Sequence, residues 1–388
     1  MDSQAETEKK NIVLLGLGYV HLCLLKRLVD QKNLPFEVTL ITEYSDVPLD
    51  SMVPDFIAGF CKRTSVLINA EALIEKSKVK FIREAATEID SKKNRIKLKN
   101  GQYVRYDFLS INCAARPNAS SIKGADKFAH LNKPIRQYQQ AIMDFCDSLR
   151  SRRKVNIVQV GSENGGLESV LSLIRRMKAY GTEPTVHLIE PSSRLMPNHP
   201  LKLSKEMLKV AEENKITVHL ETEINEVHES SIELSTGVDI ASDFTSVALP
   251  LEADQWIKES GLKLHTGLLK VNHHLQASEH NVFAVGTVAV DPERPWPRSQ
   301  GAVGKQAKVL FQNLKASALG LPLKKYRPSP NLVEYVSDGD GKAVLTRGNL
   351  VLSRRPLFWN WKVKRDQRFH DTFAFKLKQE SSSVGVGV

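Results

Sequence analysis

The chain has 388 residues, enough for two or three domains that each bury a core. Hydrophobic residues make up 41% and charged residues 26%, which excludes intrinsic disorder, and no apolar run approaches the roughly 18 residues of a membrane-spanning helix. Fifty-five Lys and Arg against 44 Asp and Glu give a net charge of +11, but the basic residues fall in short groups (Arg150, Arg152, Arg153 and Lys154; Lys362, Lys364, Arg365 and Arg368) without a nucleic-acid-binding motif, so no nucleic-acid partner is expected.

Met1 to Lys10 is polar and charged and lacks the apolar core of a secretory signal, so the cytoplasm is the expected location. Asn11 to Leu15 is a run of branched apolar residues, the pattern of a parallel strand buried on both faces. Gly16 and Gly18 follow at once, then an apolar helix through Leu28 that includes His21. A second strand, Phe36 to Ile41, ends near Glu43, 27 residues after the first glycine, with Thr42 as the alternative end position. This is the layout of a βαβ unit whose glycine turn admits a pyrophosphate and whose acid takes a ribose hydroxyl.

Alternating segments at Val79 to Ile89, Arg95 to Leu98 and Tyr103 to Asn112, with an Asn100-Gly101 turn, predict antiparallel sheet. The βαβ layout then returns. Val155 to Val160 leads into Gly161-Ser162-Glu163-Asn164-Gly165-Gly166-Leu167-Glu168, a helix to about Met177, and the strand Thr185 to Ile189 ending on Glu190, 29 residues after Gly161. One Gly-x-Gly-x-x-Gly is weak evidence; two units of one layout, each closing on a glutamate, are much stronger. More strand-like texture follows at Ile216 to Leu234 and Phe244 to Leu249, then a buried strand Asn281 to Val285 ending in Gly286-Thr287 and a helix near Ala302 to Leu314. From Tyr326 a cap is expected, with strands at Leu332 to Val336 and Lys342 to Thr346 and an aromatic, basic helix from about Phe358; the tail from Ser381 is expected to be disordered. Cys23, Cys61, Cys113 and Cys146 form no C-x-x-C or C-x4-C pair, so buried free thiols are expected, with neither a metal site nor a local redox dithiol.

This order of parts resembles the pyridine nucleotide–disulfide oxidoreductase superfamily, and within it the type II NADH dehydrogenase-like branch that includes the oxidoreductase domain fused to selenide, water dikinase. Besides the two glycine turns, Pro48 to Gly59 is similar to the branch's Pro-Tyr-Ser-Gly-Met-x-Pro-Gly segment, Tyr106 to Ile111 to its YDxLSxD strand, and Asn281 to Gly286 to its NVFAxGD strand. His21, standing where a third glycine is usual, resembles the branch's Gly-Gly-Gly-His-x-His variant.

The resemblance implies an α/β fold with two Rossmann-like dinucleotide-binding domains and a small α+β cap. The expected division is 1–150 and 266–325 for FAD, 151–265 for NAD(P), and 326–380 for the cap, with 381–388 as the tail. It implies FAD at Gly16, Gly18, His21, Glu43, Ala114, Gly286 and Thr287, and NADH at Gly161, Gly165, Gly166 and Glu190, the last of which disfavours the extra phosphate of NADPH. Glu168 matches a glutamate lying toward the nicotinamide, although a first-turn acid set against the helix dipole reads the same way. Gln306 and Lys305 lie on the helix whose N-terminus would face the flavin. The implied activity is hydride transfer from NADH to flavin and onward to a quinone-like or other acceptor. The cap would serve a homodimer, acceptor binding or peripheral membrane contact; its mixed aromatic and basic helix reads equally as one docked on protein.

Several positions depart from the branch. Glu163 replaces the middle glycine of the second turn, where a carboxylate about 4 Å from a phosphate charge would repel it by roughly 4 kcal/mol at an effective dielectric near 20. Ala248-Leu249-Pro250 replaces Ala-Thr-Gly, Gly286-Thr287 replaces Gly-Asp, and Ala114-Ala115 replaces Gly-Ser. These changes sustain two rival expectations: a degenerate member acting as a binding or scaffold protein, and a flavoprotein reduced by a donor other than NADH.

Overall fold

The computed structural model describes residues 9–120, 122–149, 154–297 and 300–375. Arg150, Arg152, Arg153 and the tail from Ser381 lie outside these. The first unit begins with strand β1 (Lys10–Leu15), helix α1 (Tyr19–Val29) and strand β2 (Phe36–Ile41), followed by β3 (Lys80–Ile82) and β4 (Phe108–Ile111). Then come β5 (Ala129–Leu131), β6 (Lys154–Val160), helix α2 (Gly166–Ala179), β7 (Glu183–Glu190), β8 (Ile216–Leu220) and β9 (Phe244–Val247). Strand β10 (Val282–Ala284) and helix α3 (Gln300–Ala318) return to the first unit.

Both units are five-stranded, wholly parallel sheets, β10-β4-β1-β2-β3 and β5-β9-β6-β7-β8; four strands follow the same order in each, but the edge strand is the last in sequence in the first sheet (β10) and the first in sequence in the second (β5). The central strands are buried along their lengths, as parallel strands covered by helices on both faces must be. In each sheet the order reverses beside the first strand, between β1 and β4 and between β6 and β9, and that switch point is where dinucleotides lie. Strand β5 pairs with β9, so the second sheet reaches back across the boundary expected at residue 150. The segment from Tyr103 to Asn112 also divides: Tyr103–Arg105 closes a three-stranded antiparallel meander with Ala86–Asp90 and Arg95–Leu98, whereas β4 joins the parallel sheet. Asp107 marks the break, its carboxylate accepting from the Asn11 backbone N–H at 2.7 Å.

The cap is an antiparallel sheet of β11 (Val333–Ser337), β12 (Ala343–Arg347) and β13 (Leu350–Arg355), covered by helix α4 (Pro356–Asp371). Its third strand was not among the expected elements. One apolar cluster runs from α1 through α2 to Val336, Val344, Val351 and Phe373, so the cap shares a core with both units.

Candidate functional site

At the first switch point the β1–α1 turn rests on Asn112, the residue that follows β4. Its backbone carbonyl accepts from Gly18 N–H at 3.1 Å. Its side-chain Oδ1 accepts from His21 N–H at 3.0 Å, and its Nδ2 donates to the Val285 carbonyl at 3.1 Å. A Cβ built on Gly18 would lie 2.6 Å from that side chain, and one on Gly286 would strike it as well. Gly16 has φ +85°, which a side chain tolerates poorly. The glycines are therefore required by Asn112 as well as suited to a pyrophosphate. Asn112 was not singled out in the sequence; the only available signal was its position directly after the fourth strand.

His21 is fully buried. Its Nδ1 lies 2.7 Å from the Gly16 carbonyl, which can only accept, so Nε2 accepts from the Ser110 hydroxyl at 2.8 Å. Burial lowers its pKa to about 4 despite the Gly16 contact, so the ring is neutral and serves to fix the turn. Glu43 is exposed at the end of β2, and Ala114 is exposed just past Asn112. Thr287 Oγ1 accepts from Ala115 N–H at 3.3 Å. Gly286 N–H donates to Gln306 Oε1 at 3.0 Å, while Gln306 Nε2 is buried with no partner.

The second turn folds differently. Gly161 and Gly165 have positive φ, and Gly166 opens α2. Glu163 does not stay at the turn: Oε1 accepts from Asn198 N–H at 2.8 Å, and Oε2 lies 3.6 Å from His199 Nε2. Glu190 is buried, and its Oε2 accepts from both the backbone N–H and the hydroxyl of Ser162, at 3.0 and 2.5 Å. Its Oε1 accepts from Ser192 N–H at 3.1 Å. Across the switch point, Asn164 Nδ2 donates to the Leu249 carbonyl at 3.2 Å, and Asn132 Nδ2 donates to the Asn164 carbonyl at 2.9 Å. Glu163 is thus turned onto the 198–199 backbone and ring and Glu190 onto Ser162 and Ser192, although Asn132 Oδ1 and Gln159 Oε1 beside the turn are buried without partners.

Glu168, on the first turn of α2, faces the cap rather than the turn. Its Oε1 accepts from Ser337 N–H at 2.7 Å. Burial raises its pKa to about 7, the Ser337 N–H and Lys362 oppose that rise, and Asp55 and Asp366 add to it. Lys362, only 2% exposed, lies 2.7 Å from Asp55 Oδ2 and 3.1 Å from Asp366 Oδ2. Burial alone would lower its pKa, but the two aspartates raise it above the usual lysine range. Lys362 also donates to the Ser51 carbonyl at 2.5 Å, and Ser51 Oγ accepts from Gln300 Nε2, at the start of α3, at 2.7 Å. This buried cluster fastens the cap to Pro48–Gly59 and to α3. All four cysteines are free, and burial pushes the Cys113 thiol up to about 12, which disfavours its thiolate.

Residues 12–307 match the pyridine nucleotide-disulphide oxidoreductase family. The type II NADH:quinone oxidoreductase of Staphylococcus saprophyticus is 20% identical over 356 residues, covering 86% of this chain and 87% of that protein. Among solved structures, the sulfide:quinone oxidoreductase of Aquifex aeolicus superposes with a TM-score of 0.79 at 16% identity, covering 94% of this chain and 92% of that one. The NDH2 of Plasmodium falciparum in complex with NADH gives 0.76 at 14% identity, covering 94% and 97%. The doubled parallel-sheet topology, the two glycine turns at the switch points and the match over most of the length agree: this chain belongs to the pyridine nucleotide-disulphide oxidoreductase family.

Proposed function

We infer that the chain is a flavin-dependent oxidoreductase of the type II NADH dehydrogenase-like class, holding FAD in its first unit and passing electrons to a quinone-like or other small acceptor. The observation that carries this reading is Gln306, whose Oε1 is fixed by Gly286 N–H while its buried Nε2 lacks an acceptor. An unsatisfied buried donor costs about 1–3 kcal/mol, so the position suits a ligand that accepts a hydrogen bond there. The polar edge of a flavin is such a group. The α1 N-terminus suits its pyrophosphate and the exposed Glu43 its adenosine ribose.

When bound, the flavin supplies the two-electron chemistry. Asn112 and neutral His21 hold the turn in one geometry, and Gln306 would offer its free Nε2 to a hydrogen-bond acceptor on the flavin. Glu168, with a pKa raised by burial to about 7, would be a group at the cap interface able to hold a proton if the acceptor reaches that interface. NADH, the reductant in the relatives' names, does not fit the second unit as folded, because Glu190 and the turn are already engaged. That same observation favours the second reading, a binding or scaffold protein without turnover.

The two readings separate when the flavin-loaded protein is reduced anaerobically with dithionite and mixed with a soluble quinone. Flavin reoxidation at about 1 s⁻¹ or faster is expected of an oxidoreductase. Reduced flavin that persists beside excess quinone would leave the scaffold reading.

A further inference from the structure

We propose that the loop 191–200 is a built-in occupant of the second dinucleotide crevice, so that an adenosine-bearing dinucleotide enters only when this loop is released. The proposal rests on reading the second unit as a dinucleotide fold and deepens it by assigning what closes it. In such a fold the acid ending the second strand accepts a ribose hydroxyl. A carboxylate has about four acceptor positions. Three on Glu190 are taken by Ser162 N–H, the Ser162 hydroxyl and Ser192 N–H, and the side chain is buried.

The loop is bound to the turn by further contacts. Ser162 Oγ accepts from Met196 N–H at 2.7 Å, and Glu163 accepts from Asn198 N–H. Met196 has φ +50°, and both it and Leu195 are buried in the main core. Arg194 gathers the loop by donating to the carbonyls of Met196 at 3.4 Å and His199 at 2.9 Å, and also to that of Pro197. On the other side of the turn the Asn164 amide spans the switch point to Leu249. Ser162 is the key residue, since its hydroxyl joins Glu190 to Met196, a bridge that glycine would lack. Glu163 holds the loop from its rim.

NADH binding to the full chain, measured by isothermal titration calorimetry without turnover, tests this. Weak or undetectable binding is expected for the wild type. S162G/N164G, which removes the hydroxyl bridge and the amide strut, should bind about tenfold or more tightly. E163G alone should change affinity less than the double variant does. Equal affinity of wild type and double variant, or a gain by E163G matching the double variant, would overturn the proposal. Should the double variant fail to show the wild-type melting transition, hydrogen exchange on the wild type decides. NADH in large excess should then speed exchange of the Met196 and Asn198 amides relative to the same protein without it, and protection unchanged by NADH would overturn the proposal. Flavin content is recorded separately: a colourless protein with this latch behaviour removes the flavin reading alone, and a yellow protein without it removes the latch alone.

Discussion

A Cβ on Gly18 would lie 2.6 Å from the Asn112 amide, which is itself held by His21 N–H and the Val285 carbonyl. Gly18→Ala should therefore destabilise the protein by about 1–3 kcal/mol even without ligand, read as a lowered urea midpoint. Adding Asn112→Ala to that variant should return part of the loss; an unchanged midpoint in Gly18→Ala would show that the amide moves aside freely. Glu168 gives a second test at this scale. Its folded pKa of about 7 exceeds that of an unfolded carboxyl, so the native state keeps a proton the unfolded state has lost. Stability then falls as pH rises from the unfolded value toward 7, by on the order of 3 kcal/mol in all. Glu168→Gln should be the more stable protein at pH 8 and nearly equal at pH 4, as measured by urea unfolding; parallel pH profiles for the two would contradict this. The glycines and Glu190 were legible because backbone geometry and strand-end spacing prescribe them. Asn112 and Ser162 were not, since their roles depend on which strand lies beside the turn.

Among the elements, α4 was expected as an aromatic and basic helix that could lie on protein or on a membrane. Within the helix Phe358 and Lys362 are buried, Trp359 and Phe369 are half-buried against the chain, and Trp361 is 44% exposed; Phe373, just beyond its end, is buried. The helix thus turns most of its aromatic face onto its own chain. No described helix is long and apolar enough to cross a membrane. A homodimer or peripheral contact through the cap would have to use what remains outside, such as Leu357 and Trp361. Removing Lys362 leaves Asp55 with only the Trp359 N–H and Asp366 with only the longer Arg365 contact at 3.4 Å, so Lys362→Met should cost about 3–5 kcal/mol. Combining it with Asp55→Asn and Asp366→Asn should recover much of that loss in thermal unfolding; an unaltered transition in the single variant would show that the cluster is not holding the cap. A buried lysine is not visible in a charge pattern, because lysine is almost always exposed. The third cap strand was readable, as Gly348-Asn349 sits between two apolar runs like a hairpin turn.

For the whole molecule, the doubled βαβ layout was the most legible feature, since each strand, glycine turn, helix and acid recurs in sequence at nearly the same spacing. What the pattern could not distinguish is a turn left open for a ligand from one closed on its own side chains. The first unit leaves the donor Gln306 Nε2 unpartnered, whereas in the second Glu190 is surrounded by donors and the unpartnered atoms are the acceptors Asn132 Oδ1 and Gln159 Oε1. A flavin in the first unit is the central claim. Its most direct test is titration of the flavin-free full chain with FAD, following quenching of flavin fluorescence. Gln306→Glu serves beside it, because that variant keeps the acceptor for Gly286 N–H and loses the amide donor. The account predicts one FAD per chain for the wild type and affinity weaker by about tenfold or more for the variant. A natively melting wild-type chain that takes up no FAD would contradict it.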